Sequence, residues 1–210
     1  MTTSIIIPVY NQLRYTKECW EALCKNTPEK FAALFIDNGS TDDTPVWLRE
    51  RLHSIHNTTN RGYAAACNQG IRASRGDYIC LLNNDTVVSP GWLAGLRACL
   101  DSSPRIGIVG PQQKGHEARE GWVHMPRLPG YCWLMRRALV ERVGMLDEQF
   151  WPGNFEDDDY CRRVELAGHQ NMMAGEVLVK HYGARSFEGM DYEKIMAKNR
   201  ALYEQKWAGR

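Results

Sequence analysis

A single carboxylate closing a buried apolar run is the first place where this chain could do chemistry. Residues Ile79-Cys80-Leu81-Leu82 lead into Asn83-Asn84-Asp85, and Thr86-Val87-Val88 then returns to strand-forming residues. An acid at the end of an apolar strand serves where negative charge is needed. Hard divalent cations such as Mn2+ or Mg2+ take oxygen ligands and are often completed by substrate phosphates, so a cation carrying a diphosphate is one reading. A turn closed by Asn and Asp side chains is the other. Four more clusters bear on the choice. Asp37-Asn38-Gly39-Ser40-Thr41-Asp42 places a carboxylate where it can accept hydrogen bonds from ribose hydroxyls or a base imide. Ser40 or Thr41 would cap the helix that follows. Asn60-Arg61-Gly62-Tyr63 opens a helix, and a cation at a helix start suits an anion, although a surface arginine after a turn reads the same way. Glu156-Asp157-Asp158-Asp159 begins another helix. One or two acids there favour the helix dipole. Four in a row repel one another and raise one another's pKa, which suits a general base near neutral pH. His181 follows the apolar run Val177-Leu178-Val179-Lys180, and its imidazole is either a metal ligand or a structural group.

These residues need a frame that brings them together. The first half alternates strand and helix patterns. Strands are expected at Ser4–Val9, Phe31–Ile36, Leu52–His56 and Tyr78–Leu82, with helices at Leu13–Lys25, Pro45–Arg51 and Gly62–Ser74 between them. That rhythm predicts an α/β fold with a central mixed, mostly parallel sheet flanked by helices. Such sheets bind ligands at the carboxyl ends of their strands, where Tyr10-Asn11, Asp37–Ser40 and Asn83–Asp85 fall. The second half is less regular. Helices are expected at Pro90–Leu100, Arg136–Val143, Phe155–Ala167 and Asp191–Trp207, and strands at Ile106–Val109, Tyr131–Met135 and Val177–Lys180. Residues Lys114–Pro129 read as a long loop or hairpin, a feature that tends to be functional in compact domains.

Composition narrows the class. The 210 residues are 43% apolar and 24% charged, with a formal net charge of +1. That balance predicts one globular domain and gives no pull toward nucleic acid or anionic membrane. No apolar run reaches the roughly 20 residues a membrane span needs. The start, Met1-Thr2-Thr3-Ser4-Ile5, lacks a basic region and reads as a strand rather than a signal peptide. Seven cysteines, none in a Cys-x-x-Cys pair, read as free thiols of a reducing compartment, which makes a cytoplasmic protein, free or peripheral at the inner face of a membrane, the expectation.

Taken together, the clusters resemble the family 2 glycosyltransferases with the GT-A, Rossmann-like fold. The resemblance runs from Ser4 to Ser186. It is carried by Ser4-Ile-Ile-Ile-Pro-Val-Tyr-Asn11, Ile36-Asp-Asn-Gly-Ser-Thr-Asp42, Asn60-Arg-Gly-Tyr63, Asn68-Gln-Gly70 and Leu81-Leu-Asn-Asn-Asp-Thr86. Gly144-Met-Leu-Asp-Glu148, Phe155-Glu-Asp-Asp-Asp-Tyr160 and His181 complete it. It implies inverting sugar transfer from a nucleoside diphosphate sugar, UDP-linked first and dTDP-rhamnose second, to a glycan, lipid-linked sugar or protein. It also implies roles for residues. Asp85 and His181 would hold the divalent cation, with Asn84 beside them. Asp37 would bind the nucleoside, and Pro8, Tyr10, Asn60 and Arg61 would line its pocket. Asp157 would be the base, following Glu156. Gly130, Tyr131 and Trp133 would close over donor and acceptor. The family's first acid is Asn83 here, which lowers the local charge. On this reading residues 1–110 form a nucleotide-sugar half, 111–190 an acceptor half and 191–210 a terminal helix of one domain. A nucleotidyltransferase, or a non-catalytic nucleotide-sugar-binding module, is the alternative. The first lacks its Gly-rich loop here, since Pro8-Val9-Tyr10-Asn11 stands in that position.

Overall fold

The computed structural model describes residues 1–113, 115, 120–183, 189 and 191–209. Strand β1 (Thr3–Val9) is buried along its whole length, and alternation of its side chains divides the interior in two. Ile5, Ile7 and Val9 face one cluster with Phe35, Cys80 and Leu82, covered by the helices α1 (Leu13–Asn26) and α4 (Trp92–Asp101). Ile6 faces the other with Leu34, Ile36, Ile79 and Leu81, under α3 (Tyr63–Ala73), α5 (Arg137–Val143) and α6 (Glu156–Leu166). Each helix meets the sheet by a stripe at helical spacing; α1 buries Thr16, Cys19, Ala22 and Leu23. Gly70 permits the close approach of helix α3 to β1. A Cβ at that position would stand 2.3 Å from Cγ2 of Ile6.

The remaining elements are β2 (Phe31–Asp37), α2 (Thr44–Arg51), β3 (Ser54–His56), β4 (Tyr78–Leu82), β5 (Thr86–Val88), β6 (Ile106–Gln113), β7 (Trp122–His124), β8 (Cys132–Arg136), β9 (Gln170–His181) and α7 (Tyr192–Trp207). The sheet order is β3-β2-β1-β4-β8-β6-β9-β5, with β7 paired to β9 outside that path. The first four strands run parallel, as βαβ crossovers require. Antiparallel β8 then joins β4 to β6, and β6 and β9 are parallel again. The polar turn after β4 therefore lies where the sheet changes direction.

Three expectations are revised. The strand expected at Val177–Lys180 is the end of β9, a strand of twelve residues, whose register against β6 shifts between Pro111 and Gln112. The expected loop or hairpin contains β7, and its residues 114 and 116–119 lie outside the described residues. Neither Ser40 nor Thr41 caps α2. The residue before that helix is Asp43, while the Ser40 hydroxyl accepts from the Asn11 backbone N–H at 2.7 Å. The loops after β1 and β2 claim these residues for each other. Among the described residues no helix is long and apolar enough to cross a membrane.

Candidate active site

A cleft of about 410 Å³ opens at the carboxyl ends of β1 and β4. Its floor is set by the sheet. Pro8, Val9 and Tyr10 end or follow β1, and Asn83, Asn84 and Asp85 fill the turn between β4 and β5. Asn38 enters from the end of β2, and Asn60 and Tyr63 from the start of α3. The second half contributes Gly130 and Tyr131 before β8, Pro152–Asn154 before α6, Glu156 and Asp157 on α6, and His181 at the end of β9.

The turn after β4 is drawn together by pairing. Strand β5 sets Thr86 opposite His181, and Tyr182 N–H donates to the Asp85 carbonyl at 3.0 Å. His181 Nε2 then lies 3.1 Å from Asp85 Oδ1 and 3.4 Å from Asn83 Nδ2. The Tyr131 ring stacks on the imidazole at 4.7 Å and 13°, fixing its plane. The Asn83 Oδ1 is buried with no hydrogen-bond partner among the described residues. A carboxylate, an imidazole and an orphaned carboxamide oxygen suit a hard divalent cation whose other positions are filled by phosphate oxygens and water. Among the described residues no three His, Cys, Asp or Glu side chains gather as a metal-holding group, so these residues alone offer an incomplete shell. Asn84 borders the cleft, but its Nδ2 donates to Thr16 Oγ1 at 2.9 Å and ties the turn to α1.

The four acids of α6 separate. Asp159 is fully buried and accepts from Arg163 Nε at 2.9 Å and Trp207 Nε1 at 3.0 Å, with Lys206 Nζ 2.7 Å away. Asp158 faces Arg127 at 3.7 Å. Glu156 and Asp157 both border the cleft. A helical wheel separates these neighbours by about 100° and would turn only one of them inward. The cleft meets α6 at its end rather than along its side, so both reach it. Burial pushes the Glu156 carboxyl well above its ordinary 4.5, and the neighbouring Asp157 charge adds to this. Its Oε2 has no partner among the described residues. Burial also raises Asp157, opposed by backbone N–H groups: Asp158 N–H donates to Oδ1 at 3.0 Å and Gly130 N–H to Oδ2 at 3.1 Å. A Cβ on Gly130 would stand 2.9 Å from the Asp157 Cβ, so glycine allows this approach. The Gly130 carbonyl in turn accepts from the Tyr63 hydroxyl at 2.9 Å, joining the two halves of the cleft.

A stability consequence follows from Glu156. A carboxyl whose folded pKa exceeds its unfolded one stabilises the fold below the unfolded value, and that contribution is lost as pH rises through the folded value. Glu156→Gln should therefore gain thermal stability over the parent as pH rises from acid to mildly alkaline, by about 2–4 °C per kcal/mol of relieved cost. Unfolding midpoints of both proteins across that range check this. A difference that does not change with pH would count against it.

Three residues expected in the cleft do not line it. Asp37 is buried; its Oδ1 accepts from Ser40 N–H at 3.0 Å, and its Oδ2 lies 2.9 Å from His56 Nδ1. Arg61 is exposed beside Asn60. Trp133, expected with Gly130 and Tyr131, is instead core. It is fully buried inside β8 and stacked 5.9 Å from Tyr160. Sequence reading passed over Asn38. Its Oδ1 accepts from Asn57 Nδ2 and Arg61 N–H, both at 3.1 Å, and its Nδ2 donates to Asn60 Oδ1 at 3.0 Å and the Gly62 carbonyl at 3.1 Å. This amide knits the loop after β2 to the start of α3. The Asn-rich spacing 38, 57, 60 is the signal that could have found it.

Comparison with known proteins adds a family and a fold. The profile described as Glycosyl transferase family 2 matches residues 4–159. The glycosyltransferase GlyG of Streptococcus pneumoniae is 30% identical over 113 residues, covering 51% of this chain and 38% of that protein. The uncharacterized protein y4gI of Sinorhizobium fredii is 26% identical over 224 residues, covering 87% of this chain and 24% of its own length. The chain thus spans well under half of either relative. The mannosyltransferase PcManGT of Pyrobaculum calidifontis, solved with GDP-Man and Mn2+, superposes with a TM-score of 0.78 at 20% identity, over 96% of this chain and 61% of that one. TarS 1-349 of S. aureus with UDP-GlcNAc gives 0.73 at 17% identity, over 96% and 66%. At those identities the likeness is one of fold.

Proposed function

This chain belongs to glycosyl transferase family 2, and from that premise we propose that its cleft moves a sugar from a nucleoside diphosphate to an acceptor hydroxyl with inversion at the anomeric carbon. The observation that carries the reading is one cleft holding the Asp85–His181 pair together with the buried Glu156 and the half-buried Asp157. Structures sharing the fold hold GDP-Man with Mn2+ and UDP-GlcNAc, which supports a nucleotide sugar as donor. A UDP-sugar is our first candidate and dTDP-rhamnose the second. The acceptor is a glycan, a lipid-linked sugar or a protein.

In this reading the nucleoside lies against Pro8, Tyr10, Asn38 and Asn60, with Asp37 behind Asn38 and Arg61 flanking the diphosphate. Asp85 and His181 would hold Mn2+ or Mg2+, which would supply positive charge to offset that of the departing diphosphate. Asp157 takes the proton of the acceptor hydroxyl. The acceptor oxygen bonds to the anomeric carbon as the bond to the diphosphate breaks, and the electron pair leaves with the diphosphate. Attack from the face opposite the leaving group inverts the centre, as one base and no covalent intermediate require. Glu156, driven toward its neutral form by burial, spares Asp157 a second adjacent charge.

The test is a panel of nucleotide sugars against the purified chain. At least one should raise the unfolding temperature with Mn2+ and fail to do so with chelator; a ligand at 100 times its Kd adds about 2.7 kcal/mol. The same donor should release its nucleoside diphosphate when Mn2+ is present. No metal-dependent shift and no release with any donor would remove the reading.

A further inference from the structure

Helix α7 begins 33 residues beyond the end of the family match at residue 159, yet it grips the segment that aims the two cleft acids. Immediately before Glu156, Asn154 and Phe155 both adopt left-handed backbone conformations, with φ of 74° and 72°. That region is uncommon for residues other than glycine, and for a bulky residue such as Phe it persists only when its surroundings hold it there. One amide meets three carbonyls of this segment. Asn199 on α7 is fully buried, and its Nδ2 donates to the carbonyls of Gly153 at 2.8 Å, Asn154 at 3.3 Å and Trp151 at 3.5 Å. The opposite side of the same loop is fixed by the Pro152 carbonyl, which accepts from Tyr63 N–H at 2.8 Å. Phe155 leans on Tyr203 of α7 at 5.8 Å. One turn beyond Tyr203, Lys206 and Trp207 anchor the helix to Asp159, and Lys206 also meets Asp147 at 2.6 Å.

From this geometry we infer that Asn199 is a positioning residue for sugar transfer: it holds loop 151–155, which ends in the left-handed Asn154 and Phe155, and so sets where Glu156 and Asp157 meet the acceptor. The inference rests on the reading of Asp157 as the base. Lys206 anchors the same helix without touching the loop, so it separates placement of the acids from general stability.

Four variants decide it: Asn199→Ala, Asn199→Asp, Lys206→Met and Asp157→Asn, each measured for kcat, donor KM, unfolding temperature and the acid limb of the kcat–pH profile. The Asn199 variants should lose about 10²-fold in kcat, the scale of a small misplacement of reacting groups, with donor KM nearly unchanged. Their acid limb should move, because the Asp157 carboxyl is no longer held in the same surroundings. Lys206→Met should lower the unfolding temperature while keeping kcat within a few-fold. Asn199→Asp keeps the side-chain volume but removes the amide protons, so it carries the test by the same criteria if the alanine variant does not fold. Unchanged kcat at position 199, or a loss that tracks unfolding temperature as in Lys206→Met, overturns the inference. Parental turnover in Asp157→Asn refutes the base reading instead, and a slow Asp157→Asn beside normal Asn199 variants refutes the positioning role alone.

Discussion

Asp157→Asn should transfer sugar about 10²–10⁴-fold more slowly than the parent, the usual share of a general base, and should bind donor with nearly the same affinity. The substitution keeps the shape of the side chain and one oxygen to accept from either the Gly130 or the Asp158 N–H, gives up the other of these two hydrogen bonds, and removes basicity. Its pH signature is equally specific. Burial lifts the Asp157 carboxyl above its ordinary 3.8. The base acts only when ionised, so parental kcat should fall as pH drops through that raised value, at a pH higher than an exposed aspartate would give. In Asp157→Asn that limb should vanish. Turnover and donor binding measured in parallel for Asp157→Asn and Glu156→Gln distinguish the assignments. If Glu156→Gln is the slow variant and Asp157→Asn is near parental, the base is Glu156.

Removing Asp85 should be as costly by a different route. Asp85→Ala leaves the His181 imidazole at the end of β9 without the carboxylate that would offset the cation. Loss of outer partners of metal ligands already costs about 10–100-fold in metal affinity or activity, and a direct ligand should cost more. Titration of Mn2+ into the protein with nucleotide sugar should show the parent binding the two together and Asp85→Ala binding neither tightly. Chelator should silence the parent, and Mn2+ or Mg2+ should restore it. Full turnover in chelator would mean that Asn83-Asn84-Asp85 is a turn and nothing more.

What the sequence revealed depended on how far each signal travels along the chain. The parallel half was legible because a strand buried on both faces is a continuous apolar run, as in Ser4–Val9 and Tyr78–Leu82. Strand β9 was not, since Gln170-Asn171 and Gly175-Glu176 break its apolar character. Asn171 is nevertheless fully buried, with its Nδ2 donating to the Cys161 carbonyl at 3.0 Å, and the register shift against β6 absorbs the middle of the strand. The acids of α6 were visible as a cluster, but their division was not. Arg163, one turn along, is a local partner that spacing suggests. Lys206 and Trp207 lie 47 and 48 residues away from Asp159, and no local pattern announces them. Asn38 and Asn199 escaped for the same reason: a buried amide is defined by the distant carbonyls and amides it satisfies. Asp37 shows the converse: a strand-end acid is legible, but its partners Ser40 and His56, one on each oxygen, are not.

The distribution of thiols gives the molecule a built-in handle. Six of the seven cysteines are buried, and Cys24 stands exposed in the last turn of α1. A helix advances about 1.5 Å per residue, so this sulfur sits roughly 16 Å along a rigid rod from the chain that leaves the cleft at Tyr10. Partial burial raises its pKa, which slows alkylation near neutrality and favours mildly alkaline conditions. A maleimide dye thus finds one surface anchor on the unaltered chain, outside the cleft and within energy-transfer range of a fluorescent ligand bound in it.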